Sequence, residues 1–448
     1  MTMPLMEATK PLPPGRFGFP LVGESFSYLR DPEGFILKRQ QRHGNIFKTH
    51  LFGAPNVVLI GAEAVQFLFS NDGKKLEMTN TPNFEMLLGE RSIGVQIGVA
   101  HQTLRRQLFK AFQPRTLERY AVTMESVTQQ DLKKWEQIGD LTWYEELKKY
   151  TLDIACRLFI GVSTAADEPL EKVYETWSKG LLAPPVRFPG SPLDKAIRAR
   201  ELLLTRFDQL IDQRQQSESK EQDVLSILLS AKDESGNLLS REDVKDNVLA
   251  MLIAGHETLT SALTSLCLLL AQHPEVLKGV RAEQEQLGFP TQLTPNDLKQ
   301  MTYLEQVIKE VLRIVPPVVR SGSRRVLEDC ELGGYLIPKG WDVYYQIPET
   351  HQDSKIYNNP ERFDPDRFSP ERAEDKQKVC SHIPFGGGIR ECLGKEFAKL
   401  EIKLFAALLV RGYTWELVPG QNLERTVLPF SRPHDGLKVH FRPARLLE

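Results

Sequence analysis

The 448-residue chain is poor in cysteine, with five: Cys156, Cys267, Cys330, Cys380 and Cys392. They are odd in number and widely spaced, and no two form a CxxC pair, which excludes a disulfide framework and a zinc knuckle. This usage fits a reducing compartment, so the chain is read as cytoplasmic. An excess of one charge is also lacking. Lys and Arg number 57 against 59 Asp and Glu, a formal net charge of -2 that excludes nucleic acid as a partner. The amino-terminal MTMPLMEATKPLPPGRFGFPLVGES has no apolar run long enough for a signal peptide or a transmembrane anchor. Its PLPPG is a stiff, extended lead-in, compatible with peripheral contact at a membrane surface. No internal repeat is visible.

Hydrophobic residues make up 41%, enough to bury a substantial core. NIFKTHLF and NVVLIG, joined through GAP, read as a hairpin, and strand signals return in ELGGYLIPKGWDVYYQI, YTWEL and LKVHFRP. Between them, from about Glu63 to Arg313, apolar residues recur at helical spacing. The expected architecture is a single domain over 1–448, mainly α with a small β-rich lobe built from both ends of the chain. Its β-rich parts lie at about 40–65, 320–350 and 410–445, and its helical body at about 66–315 and 394–410. LLAPPVRFPGSPLD is a proline-rich loop with large apolar residues, suited to cap a pocket, touch a membrane or pack on its own domain.

Against this scarcity of cysteine, FGGGIRECLG (Phe385 to Gly394) places one in a tightly constrained setting. Phe397, Leu400, Leu404, Phe405 and Leu408 then share a helical face, so Cys392 sits at a helix start. There the dipole and free amides lower a thiol pKa from about 8.5 and favour a thiolate. Gly386, Gly387 and Gly388 let the loop bend and bring bare backbone against a flat, bulky partner, whose anionic edge Arg390 can reach. A thiolate beside a flat anionic cofactor describes haem held by one cysteine. At this point the residues resemble a family: Phe385, Gly388, Arg390, Cys392 and Gly394 match FxxGxRxCxG, the haem-binding signature of the cytochrome P-450 family.

A second region supports the resemblance. SREDVKDNVLAMLIAGHETLTSALTSLCLLLAQHP opens with a serine and an acid three residues on and ends before Pro274, predicting a helix from about Arg241 to Gln272. Inside its apolar middle, Gly255 costs about 1 kcal/mol relative to Ala, and Glu257 is a charge among hydrophobes. AGHETLT is similar to the family's oxygen-activating [AG]GxxT segment, in which Gly255 lets cofactor or dioxygen approach while Glu257 and Thr258 hold water and relay protons. The alternative is a kink in which Thr258 bonds back to a carbonyl. Leu259 stands where the family often has a second Thr or Ser.

Glu310 and Arg313 lie i and i+3 on one helix and resemble the family's ExxR motif. NPERFDPDRF resembles the segment that brings a second arginine to Glu310, with Arg367 chosen and Arg362 the rival. The resemblance further implies haem propionate contacts from His101 and Arg105 (the WxxxR position, with His for Trp), from Arg324 and from Arg390. His382 has no role beyond packing.

What the resemblance implies is a cytochrome P-450 fold holding haem b (iron protoporphyrin IX) with Cys392 as the axial iron ligand, and a monooxygenase that hydroxylates a C–H bond with O2. No GxGxxG unit or flavin domain is visible, so electrons must come from a separate ferredoxin or flavoprotein donor. Arg105, Arg106, Lys110 and Lys395 offer a basic face for an acidic donor. GFPLVGES, GNIFKTHLFGAPNV and ELGGYLIPKGWDV resemble the branch containing retinoic acid hydroxylases, pointing to an apolar isoprenoid small-molecule substrate bearing a carboxylate. Leu181, Leu182, Phe188, Ala254, Val318 and Val319 are the expected lining, with the segment TPNFEMLLGERSIG. The alternatives are a sterol or other terpenoid hydroxylase, a haem-thiolate isomerase or dehydratase needing no electron donor, a haem sensor, and a haem-free cysteine hydrolase.

Overall fold

A computed structural model describes residues 10–20, 22–164, 168–216, 223–232, 235–288 and 292–444. The chain packs as two compact units, one of 1–79, 318–362 and 373–391, the other of 80–317, 363–372 and 392–448.

The first unit is organised around a five-stranded sheet. β1 (Ile46–Leu51) and β2 (Ala54–Leu59) form the expected hairpin, turning through Phe52 and Gly53, both at positive φ. β3 (Leu76–Met78) is an edge strand of this sheet. With β5 (Arg324–Val326) and β8 (Asp342–Tyr345) the order becomes β1-β2-β8-β5-β3, β2 and β8 running parallel. β6 (Cys330–Leu332) and β7 (Tyr335–Ile337) make a separate hairpin. The continuous apolar run of β2 follows from a sheet covered on both faces. Val57 and Leu59 pack with Val65 and Leu68, while Val58 and Ile60 pack with Tyr28, Phe35 and Phe47.

The second unit is the helical body. Its long helix, Arg241–Gln272, has the predicted limits and a complete capping box between Ser240 and Asp243. The helix Trp143–Ile160 packs along it, and the helix Lys395–Gly412 that follows the cysteine is held by an aromatic cluster. There the Trp143 ring lies 6.2 Å from Phe405 and 5.5 Å from Phe441.

The structure corrects one expectation. β9 (Tyr413–Leu417) and β12 (Lys438–Pro443) do not join the amino-terminal sheet; they pair with β4 (Asp140–Thr142) inside the helical unit. The cysteine helix runs directly into β9 and tethers these strands to the helices. β10 (Arg425–Thr426) and β11 (Arg432–Pro433) form a small ribbon in the same unit.

Candidate active site

In the helical unit the long helix is enclosed along most of its length, as at Val248, Leu252, Leu263 and Leu266. Its middle is different. Ala254 is exposed, and Ile253, Gly255 and Thr258 are half-buried, so an accessible stripe interrupts an otherwise covered helix. The Thr258 hydroxyl donates to the Ala254 carbonyl at 2.7 Å, the back-bond weighed as the alternative reading. Its lone pairs remain to accept. Glu257 is turned inward: it is 7% exposed, and burial raises its pKa against the opposing pull of Lys148 and Arg432.

Gly255 has a neighbour that the sequence did not reveal. A Cβ there would lie 2.9 Å from Cε2 of Phe159, so the missing side chain admits a protein ring where a cofactor or dioxygen was expected. The Phe159 ring in turn lies 5.4 Å from Phe397, on the cysteine helix. That helix starts at Lys395 with Gly394 as its N-cap, which puts Cys392 just outside the first turn. Cys392 is exposed, and Phe397 is buried against Phe112 and Tyr120.

In the same unit Glu310 is wholly buried and accepts from Arg313 Nε at 2.6 Å, Arg367 Nε at 2.9 Å and the Asp364 amide at 2.9 Å. Arg367 reaches the carboxylate, and its rival Arg362 is exposed. On the helix Gly98–Phe109, His101 is buried and Arg105, four residues on, is half-buried with no ion pair among the described residues.

In the first unit the glycine loop is fixed from behind. His351 Nε2 accepts the Ile383 amide at 2.8 Å, and the rings of His351 and His382 stack at 5.3 Å, giving His382 an anchoring contact. Gly386 and Gly388 have φ of 67° and 64°, which glycine alone adopts without strain. Gly387 is packed differently: a Cβ would come within 2.5 Å of Phe69, so here too the bare backbone meets a protein ring. Phe385 is half-buried, and half-buried Arg390 closes the short 3-10 turn Gly388–Arg390. Arg324 is 3% exposed and already compensated, giving hydrogen bonds of 3.2 and 2.9 Å to Asp72 and one of 2.6 Å to the Gly322 carbonyl.

The sequence profile described as "Cytochrome P450" matches residues 13–441. The chain belongs to the cytochrome P450 family. It is 44% identical over 439 residues to "Putative cytochrome P450 120" of Synechocystis sp. (strain ATCC 27184 / PCC 6803 / Kazusa), covering 98% of each chain. To "Cytochrome P450 26B1" of Mus musculus it is 35% identical over 444 residues, 96% of this chain and 86% of that one. The solved structure "Retinoic acid bound cyanobacterial CYP120A1" superposes with a TM-score of 0.93 at 44% identity, covering 98% of this chain and 100% of that one. The fold is therefore the P450 fold, and the chain is a P450 monooxygenase and a haem protein. P450s draw on redox partners and act on apolar substrates.

The residues of this P450 fit that group. An exposed cysteine, an accessible helix stripe and a half-buried arginine with no ion pair among the described residues have the chemistry of the donor, the wall and the cation that a flat anionic cofactor needs. Of the expected substrate residues, Ala254 belongs to the stripe, Leu181 is half-buried, and Leu182 and Phe188 are 62% and 58% exposed. In the first unit Val318 is half-buried, and Val319 is buried with its carbonyl bonded to the Ile347 amide. The sequence reading passed over His256, Phe159 and Phe69. His256 is visible within AGHETLT; the two phenylalanines carry no local signal.

Proposed function

We propose that this P450 hydroxylates an apolar isoprenoid carboxylic acid of the retinoic acid type, with haem b as cofactor and electrons from a separate ferredoxin or flavoprotein. The observation that carries the reaction is the accessible stripe on the long helix, with Thr258 on it and the buried acid Glu257 beside it. The substrate class rests on the likeness to a relative solved with retinoic acid bound.

Bound haem supplies the centre that activates O2. Cys392, exposed just ahead of the helix Lys395–Gly412, would hold its iron. Arg105 would meet an anionic edge of the group, with His101 one turn before it. Glu257, whose pKa burial raises, would store a proton one residue from Thr258, whose oxygen can accept a hydrogen bond while its own hydrogen is donated to the Ala254 carbonyl. Ala254 leaves room for a bulky apolar ligand and offers it no polar group.

An absorption titration of the purified holoprotein with all-trans-retinoic acid tests the reading. A saturable low-to-high-spin shift of the Soret band is expected. An immobile band, with sterols or other terpenoids moving it instead, would remove the retinoid assignment. A Soret band missing from protein made with ample haem would remove Cys392 as ligand.

A further inference from the structure

Neither the motif nor the reaction above gives a role to the histidine inside AGHETLT. His256 is 0% exposed, and its ring packs edge-on against Tyr174 at 5.4 Å. Nδ1 lies 2.7 Å from the hydroxyl of Thr151, on the helix Trp143–Ile160. That hydroxyl lies 3.0 Å from the Leu147 carbonyl, to which it donates, and 2.7 Å from the Thr260 hydroxyl. The distances allow either tautomer; with the Thr151 hydrogen assigned to Leu147, Thr151 accepts and the imidazole hydrogen lies on Nδ1. Nε2 is then a bare acceptor. Among the described residues it has no hydrogen-bond partner, and Glu257 Oε1 is 3.8 Å away.

We propose that His256 is a positioning residue for Glu257: its Nε2 accepts a hydrogen bond from the protonated Glu257 carboxyl and parks the acid on the side of the helix away from the accessible stripe. This rests on the reading of Glu257 as the proton store beside Thr258. A carboxylate at this place would face a lone pair and gain nothing; a carboxylic acid would satisfy both groups. Closing 3.8 Å to hydrogen-bond length takes a side-chain movement of about 1 Å.

The surroundings agree. Burial, with Lys148 second, pushes the His256 pKa down to about 3, so the ring stays neutral and keeps its acceptor. The charged and titratable groups facing Glu257 are Lys148 and Tyr144 from one helix, Glu175 and Tyr174 from the helix Glu168–Lys179, and Arg432 from β11. Lys148 and Glu175 pair with each other at 3.2 Å, which weakens the pull of Lys148 on the Glu257 proton.

The test is infrared spectroscopy of the resting holoprotein at pH 7. The carboxylic acid C=O stretch of Glu257 is identified as the band missing from Glu257→Gln. It is expected at the lower frequency of a hydrogen-bonded acid, to move up in His256→Phe, and to return in His256→Gln, whose amide oxygen can accept. Equal haem loading and melting temperature show that each variant is folded. Coupling, the fraction of electrons recovered as hydroxylated product, should fall severalfold in His256→Phe and recover in His256→Gln. A band that is missing from wild type, or unmoved in His256→Phe, overturns the proposal, as does a moved band with unchanged coupling. Glu257→Gln with wild-type coupling would instead sink the proton-store reading, whatever the band does.

Discussion

Phe159 occupies the space that a side chain on Gly255 would need: a Cβ there would stand 2.9 Å from Cε2 and 3.0 Å from Cζ of the ring. The same ring touches Phe397, five residues beyond Cys392. One aromatic side chain thus sets the spacing between the long helix and the cysteine helix. Gly255→Ala should therefore destabilise the protein by about 1 to 2 kcal/mol, because overpacking outweighs the helix-propensity gain of about 1 kcal/mol. Combined with Phe159→Leu it should cost less than the two changes summed. Denaturant melts of the four proteins of this cycle measure it; additive effects would mean that the ring yields freely.

The Glu310 cluster makes a second prediction. A carboxylate and two guanidinium groups, all 0% exposed, hold one another 57 positions apart in sequence. Removing the carboxylate leaves two buried guanidinium groups without it, which costs about 3 to 5 kcal/mol, and removing Arg367 costs less because Arg313 still pairs with Glu310. Arg367→Met and Glu310→Gln should each lower the melting temperature and the haem content on purification. Arg362→Met should do neither, and a comparable loss there would contradict the pairing.

These cases show what was legible in the sequence. The long helix could be delimited because its capping box and the proline after it are local signals, and the Cys392 loop because five fixed positions fall within ten residues. Contacts that depend on a distant ring could not be read. Gly255 and Gly387 read as places where a cofactor or dioxygen comes close, whereas the groups that the fold brings against them are Phe159 and Phe69, which lie in unremarkable helical stretches. Arg324 was assigned to an external anion because nothing near it in sequence announces Asp72, 252 positions away. The carboxy-terminal strands were misplaced because their partner β4 is three residues long, too short for any periodicity to show.

Arg105 is the cation with the most to lose from an absent anion. It is half-buried, and among the described residues it has no ion pair. If it meets a propionate, Arg105→Leu should weaken haem binding by about 1.5 to 3 kcal/mol, the range for a charged hydrogen bond, or roughly ten- to a hundredfold. The loss of haem to an excess of apomyoglobin reads this directly. Arg324→Leu should act mainly on folding, since it strands the buried carboxylate of Asp72.

Glu349, in the first unit, carries the last prediction. Its Oε2 is buried without a hydrogen-bond partner among the described residues, and burial pushes its pKa up from 4.5 to about 7. Below pH 4.5 the group is protonated in both folded and unfolded chains and costs nothing. As pH rises from there, the unfolded chain ionises while the folded one keeps its proton, so folding stability falls; once pH passes about 7 both are ionised and the dependence ends. The accumulated loss is about 3 kcal/mol at 1.36 kcal/mol per pKa unit. Glu349→Gln removes the titration and should flatten this part of the profile, leaving the variant more stable than wild type at pH 8 and nearly equal at pH 5. Urea melts of both proteins across that range would measure the difference, and parallel profiles would mean that the carboxyl ionises as easily in the folded chain as in the unfolded one.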